Sequence, residues 1–322
     1  AAASDPALLA TDLADYLVLR RSVGFRFERH EIHLREFVAF LKERDARWIT
    51  TQLAQEFATC HTDHGSKTQA GRLSVARGFA TYMLGVDPRT EVPPFGLLPA
   101  RRVRARPYIY TAAEVRRVLT AARECDSVYH PLRPWNLYCI LGLLAVTGMR
   151  ISEVINLRPE DIDWERHVLT VRKTKFGKTR LVPLHPSTMK TLSAFAVKRE
   201  REVARRDRKN RRKAFYFFFS KRGQRYDASF IWRMFCELSR EVGLRAPGDR
   251  HGPRLHDFRH RFAVETLVRC YRSGASVEHG LSLLSTYLGH TQVSHTYWYL
   301  SCSPRLMAAA SDRLESRWKE VP

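Results

Sequence analysis

No apolar run in the 322 residues approaches the roughly 18 that a membrane span needs, and no membrane partner is expected. The opening AAASDPALLA has no charged stretch leading into an apolar one, so export is not expected either. Cysteine is scarce and scattered. The six, Cys60, Cys125, Cys139, Cys236, Cys270 and Cys302, form no CxxC pair, which excludes a dense disulfide framework and fits a reducing compartment. Repeats and low-complexity tracts are missing as well. Acid is in short supply: 33 Asp plus Glu face 55 Lys plus Arg, a formal net charge of +22. With 44% hydrophobic residues this is no basic tail, and its length fits about two domains at roughly 150 residues each. A polyanion is drawn to such a chain and releases counterions on binding, so nucleic acid is the expected partner. Charge speaks to association, however, and not to chemistry.

Helical periodicity organises the first hundred residues. Leu34, Phe37, Val38 and Leu41 form one stripe at 3.6 spacing, and Leu73, Ala76, Phe79, Ala80 and Met83 another, with Arg72 and Arg77 expected to face outward. A helical domain over 1–95 follows, then a proline- and arginine-rich linker over 96–107 whose Arg101, Arg102, Arg104 and Arg106 suit a phosphate backbone. A second domain covers 108–322. Thr111 and Glu114 form a capping box that opens its first helix. Trp135 to Val146 is strongly apolar, Gly148 is placed to end that helix, and Ile151 to Leu157 to form another. HVLTVRKTKFGKTRLVPL alternates around Phe176-Gly177 as a β-hairpin does. A long polar helix from about Ser187 ends in KREREVARRDRKNRRK, either a solvated end or a DNA contact. Phe215 to Phe219 reads as a short strand, and the segments 228–242, 256–271, 277–288 and the tail from Pro304 read as helices. The expected fold class is mainly α with a small antiparallel β-sheet.

Four islands of the second domain carry chemistry: Arg150 in TGMRISEV, Lys175 in the hairpin, His256, Arg259 and His260 in LHDFRH, and His290 and Tyr299 in LGHTQVSHTYWYL. Singly, each has an ordinary structural reading. Together and in this order they resemble the tyrosine recombinase (phage integrase) family, through TGMRISE, HDFRH, LGH and a tyrosine nine residues past the last histidine. The resemblance implies a helical DNA-gripping domain, a basic linker crossing the DNA backbone and an α+β catalytic domain. It also implies an enzyme, cytoplasmic and nucleoid-associated with double-stranded DNA as its partner, that cleaves and rejoins DNA through a covalent 3′-phosphotyrosine.

Residue types explain the roles so implied. Arg150 and Arg259 would hold nonbridging phosphate oxygens with planar, charge-assisted forks. Tyr299, a poor nucleophile at its free pKa near 10, would attack phosphorus once that cationic site stabilises its phenolate. Lys175 aligns with the lysine that protonates the departing 5′ oxygen, although Lys173 and Lys178 lie two and three residues away. His256 and His290 would support the phosphate or proton movement, Glu153 would orient an arginine or the lysine, and His260 would pack structurally. The adduct keeps the bond energy, so resealing would need no cofactor, metal or ATP. Recombination of two duplexes implies a homotetramer, with accessory recombination proteins as further partners. Alanine at Arg150 or Arg259 is expected to abolish cleavage while the fold and most DNA binding survive.

Alternatives stay open on the residues alone. Tyr297, two residues upstream, competes with Tyr299 as the attacking phenol. Leu306, Met307, Ala310 and Leu314 form an apolar stripe that packs either on its own chain or on a neighbouring protomer. A type IB topoisomerase uses similar chemistry without strand exchange. A zinc hydrolase would use the four-residue spacing of His256 and His260, but Arg259 stands between them. A non-catalytic helix-turn-helix protein would use 277–300 but leaves the arginines unexplained.

Overall fold

The structure, a computed structural model, describes residues 6–319 apart from 25–26, 62–64, 100–105, 128–129, 173–178, 209–213, 250, 275 and 291. The chain divides into two compact units, 1–105 and 106–322.

The first unit holds four helices among the described residues: α1 (Pro6–Ser22), α2 (Glu28–Glu43), α3 (Thr51–Thr59) and α4 (Ser66–Met83). Thr50 starts α3 by accepting the Leu53 N–H on its Oγ1 at 3.2 Å, which satisfies an otherwise orphaned amide. The two expected stripes become core, where Leu34, Phe37, Leu41, Leu73, Ala76 and Phe79 are buried with Phe57 of α3. Each Leu or Phe among them contributes about 2 kcal/mol through burial.

Arg72 departs from expectation. It is only 3% exposed, because its Nη1 donates to Glu36 at 2.8 Å, its Nε and Nη2 donate to the Phe57 carbonyl, and its guanidinium lies 4.0 Å over the Phe57 ring. It therefore ties α2, α3 and α4 together and is unavailable to a phosphate. Arg77 is half-buried, its Nε and Nη2 donating to the carbonyls of Pro93 and Pro94 at 2.7 and 2.8 Å. Arg106 is exposed; Arg101, Arg102 and Arg104 lie outside the described residues.

In the second unit the Thr111–Glu114 capping box opens α5 (Ala112–Glu124), with both reciprocal hydrogen bonds formed. The apolar α6 (Arg133–Thr147) packs against α5, α8 (Pro186–Arg208) and α10 (Leu255–Arg272), which places it at the centre of the core. The short α7 (Ile151–Ile155) leads to a three-stranded antiparallel sheet in order β1 (Ile162–Asp163), β2 (Val168–Val171), β3 (Arg180–Pro183). Leu169 pairs with Val182 and Val171 with Arg180, so the expected hairpin forms, while its tip at 173–178, including Lys175, lies outside the described residues.

Residues 215–219 form no strand. Phe217, Phe218 and Phe219 are buried as an aromatic knot, and Arg199 of α8 takes up the neighbouring carbonyls, donating to Ala214, Tyr216 and Phe217 at 3.1 Å each. With those acceptors spent on a side chain, only the pairing of Phe219 with Arg225 resembles a sheet. Helices α9 (Ala228–Glu241), α11 (Val277–Leu288), α12 (Ser294–Cys302) and α13 (Pro304–Lys319) complete the unit. Helix α13 lies against α10 with Leu306 buried and Arg305 donating to Glu265 at 2.6 Å, whereas Met307 and Leu314 of the expected stripe are exposed.

Candidate active site

Two glycines aim the site. Gly148 ends α6 in the left-handed region (φ 62°), where a Cβ would stand 2.7 Å from the Phe262 ring, and the reversal delivers Arg150 to the N-terminus of α7. Gly289 ends α11 likewise (φ 67°) and delivers His290. Arg259, on α10, joins these two corners. Its Nη1 donates to the Gly148 carbonyl at 2.9 Å and its Nη2 to the Leu288 carbonyl at 2.7 Å, and it is almost wholly buried. Burial, then the nearby Arg150 charge, lowers its pKa to about 10, which leaves it cationic at neutral pH.

Glu153 binds Arg150 in two ways, accepting its backbone N–H and its Nη1, each at 2.8 Å. His256 lies one turn before Arg259–His260, its ring perpendicular to that of His260 at 4.9 Å. Burial, then the Arg259 charge, pushes its pKa down to about 4, so it is a neutral hydrogen-bonding group at neutral pH. His290 is fixed by Thr296, whose Oγ1 lies 2.8 Å from its Nδ1.

The two candidate phenols are sharply distinguished. Tyr299 is 3% exposed, its ring 5.4 Å from that of His260 and stacked at 6.2 Å on that of His290, whereas Tyr297 is 54% exposed. Arg150, Glu153, His256, Arg259, His260, His290 and Tyr299 thus form one connected neighbourhood. Among the described residues no group of three or more His, Cys, Asp or Glu side chains is arranged to hold a metal ion.

One residue of this neighbourhood escapes the sequence reading. Arg180, on β3, donates Nη1 and Nη2 to the two oxygens of Glu153 at 3.0 and 2.7 Å. A signal existed: by strand alternation Arg180 shares the inward parity of Val182, where an unpaired arginine is costly.

Residues 109–305 match the phage integrase family. A putative integrase/recombinase of Sinorhizobium fredii, y4rB, is 46% identical over 308 residues, 95% of this chain and 96% of the relative. The tyrosine recombinase XerD of Bradyrhizobium diazoefficiens is 29% identical over 299 residues, 89% of this chain and 83% of the relative. The Tn1549 transposon integrase, solved with transposon right-end DNA, shares the fold with a TM-score of 0.63 at 18% identity, covering 96% of this chain and 98% of that one. The chain belongs to the phage integrase family of tyrosine recombinases. It is a site-specific DNA strand transferase that cleaves and rejoins DNA through a covalent 3′-phosphotyrosyl intermediate.

Proposed function

We propose that Tyr299 is the nucleophile and that Arg150, Lys175, His256, Arg259 and His290 complete the cleavage site, with Glu153 and His260 supporting it. The observation that carries this reading is the double tether of Arg259 to the Gly148 and Leu288 carbonyls, which holds three separate sequence islands around the Tyr299 ring. In cleavage Tyr299 gives up its phenolic proton to solvent, its oxygen bonds to phosphorus, the bond to the 5′ oxygen breaks, and that oxygen takes a proton from Lys175. Arg150 and Arg259 hold the charge that gathers on the nonbridging oxygens. Attack of a partner duplex's 5′ hydroxyl on the adduct reverses the bond changes and releases Tyr299.

The substrate is double-stranded DNA at a nucleoid location, and four protomers on two duplexes, with accessory recombination proteins, would exchange strands. The kinship with a putative integrase/recombinase supports insertion or excision of DNA segments as its task. The test incubates the protein with fragments flanking its own gene and with a nicked substrate that traps cleavage, then looks for an SDS-resistant adduct. Loss of the adduct in Tyr299→Phe and its retention in Tyr297→Phe is expected. The reverse pattern moves the nucleophile by two residues, and salt-sensitive binding without an adduct on any fragment overturns the site.

A further inference from the structure

We infer that Arg180 is a positioning residue of the strand-transfer site, a counter-cation that fastens Glu153 so that Arg150 keeps its charge and its free fork edge for the scissile phosphate. The inference rests on the reading of Arg150 as a phosphate ligand. A carboxylate beside a phosphate-binding arginine is on its face harmful: it neutralises the charge that should meet the phosphate and competes for the same donors. Glu153 is such a group, with a side chain 5% exposed and hydrogen-bonded to Arg150 Nη1 at 2.8 Å.

Geometry resolves the conflict. A carboxylate has about four lone-pair sites, and each site of Glu153 has a donor: Arg180 Nη1 and Nη2, Arg150 Nη1 and the Arg150 backbone N–H. Arg180 spends its fork on the two oxygens, so Arg150 gives up one nitrogen of its guanidinium and cannot turn its whole fork onto Glu153. The charge sum agrees. One carboxylate between two guanidiniums leaves a net positive group facing the phosphate, whereas Arg150 and Glu153 alone would cancel. Burial pushes the Glu153 carboxyl up, but the Arg180 hydrogen bond and charge, followed by the Arg150 contacts, overcome it and hold the group below its usual range.

Arg180 also lies against a second island. A Cβ placed on Gly289 would meet its Nη1 at 3.4 Å and its Cδ at 3.6 Å. One side chain, held on β3 opposite Val171, thus spans the Arg150 corner and the Gly289–His290 corner. Lysine is a poor substitute, since a point charge cannot hold both carboxylate oxygens in a plane.

A double-mutant cycle on the full chain tests this, reading single-turnover adduct formation on the nicked substrate, DNA affinity and acid unfolding. Arg180→Gln is expected to slow adduct formation on the order of 100-fold while affinity stays within about twofold, because buried Glu153 then captures Arg150. Glu153→Gln added to Arg180→Gln removes the uncompensated carboxylate and recovers about tenfold of that loss, and Arg180→Lys falls between the wild type and Arg180→Gln. The acid-unfolding midpoint rises in Arg180→Gln, as the Glu153 carboxyl regains a higher pKa, and returns in the double variant. A double variant no faster than Arg180→Gln overturns the inference, whether Arg180 merely anchors the strand or itself binds phosphate; so does an unmoved acid midpoint. Failure of the underlying site reading shows separately, as an adduct that survives Arg150→Ala in a chain whose acid midpoint still shifts with Arg180.

Discussion

The proposed site gives Arg150 and Arg259 one phosphate-binding role from different structural positions, and their variants should differ accordingly. Arg150 is partly exposed and contributes one side-chain donor to a carboxylate that Arg180 continues to hold. Arg150→Ala should therefore cost about 1 kcal/mol of stability and abolish the adduct. Arg259 closes two helix ends through the Gly148 and Leu288 carbonyls, so Arg259→Ala strands two buried acceptors and should cost on the order of 3 kcal/mol as well as the adduct. Urea unfolding of the two variants side by side checks the contrast, and equal losses would remove the structural duty assigned to Arg259. The fold-intact expectation thus suits Arg150 better than Arg259. His256 adds a pH dependence. Its folded pKa of about 4 lies below the unfolded value near 6.5, so between those limits the unfolded chain binds a proton that the folded chain does not. Stability should accordingly fall as pH drops from 6.5 towards 4, by at most about 3 kcal/mol from this group, with buried His130, pushed down to about 4 by burial, adding to it. Unfolding midpoints at pH 7 and pH 5 test this, and His256→Asn should flatten its share of the decline.

Helix α8 shows how one element sorts residues of a single type. Arg199 and Arg206 are buried and donate to the carbonyls of the 214–221 segment, whereas Arg201 and Arg208 are exposed. Arg199→Met should destabilise by about 2–3 kcal/mol because it leaves carbonyls without donors, while Arg201→Met should stay within about 0.5 kcal/mol of wild type. Thermal unfolding distinguishes them, and equal small effects would mean that the aromatic knot holds without Arg199. The same element explains what could be read from the chain. Helix ends were legible where local chemistry sets them, as at the Thr111–Glu114 box and at Gly148, whose left-handed backbone redirects the chain. The hairpin was legible through alternation, and the convergence of the Arg150, Arg259 and His290–Tyr299 islands through their order in the chain. Arg72 and Arg199 were not, because each is buried by acceptors that distant segments supply, and nothing in adjacent sequence distinguishes such an arginine from a solvated one, whereas Arg180 was marked only by its strand parity with Val182. The strand expected at 215–219 failed for the same reason: its carbonyls belong to Arg199.

At the scale of the whole molecule, the net charge of +22 overstates what DNA can meet. Arg72, Arg199, Arg206 and Arg245 are all buried, and Arg72 already has its carboxylate partner in Glu36. The counterion-release slope should therefore count the exposed cations and those of the proposed site, not these four. A footprint of about 6–10 phosphates loses roughly 10³–10⁵ in affinity between 50 and 200 mM salt. Within that range Arg106→Gln, at an exposed position, should lower the slope by about one if Arg106 touches phosphate, whereas Arg72→Met should leave the slope unchanged. Fluorescence anisotropy on a duplex at several salt concentrations reads both. A slope reduced by Arg72→Met in a chain that still unfolds cooperatively would put that guanidinium back on the DNA surface. Tyr299→Phe should leave the salt curve in place while removing the adduct, because the phenol contributes to bond breaking and not to the phosphate count. Binding and cleavage then separate as two properties of one chain: long-range charge brings the duplex in, and a small set of buried, mutually fastened side chains decides what happens to one phosphodiester.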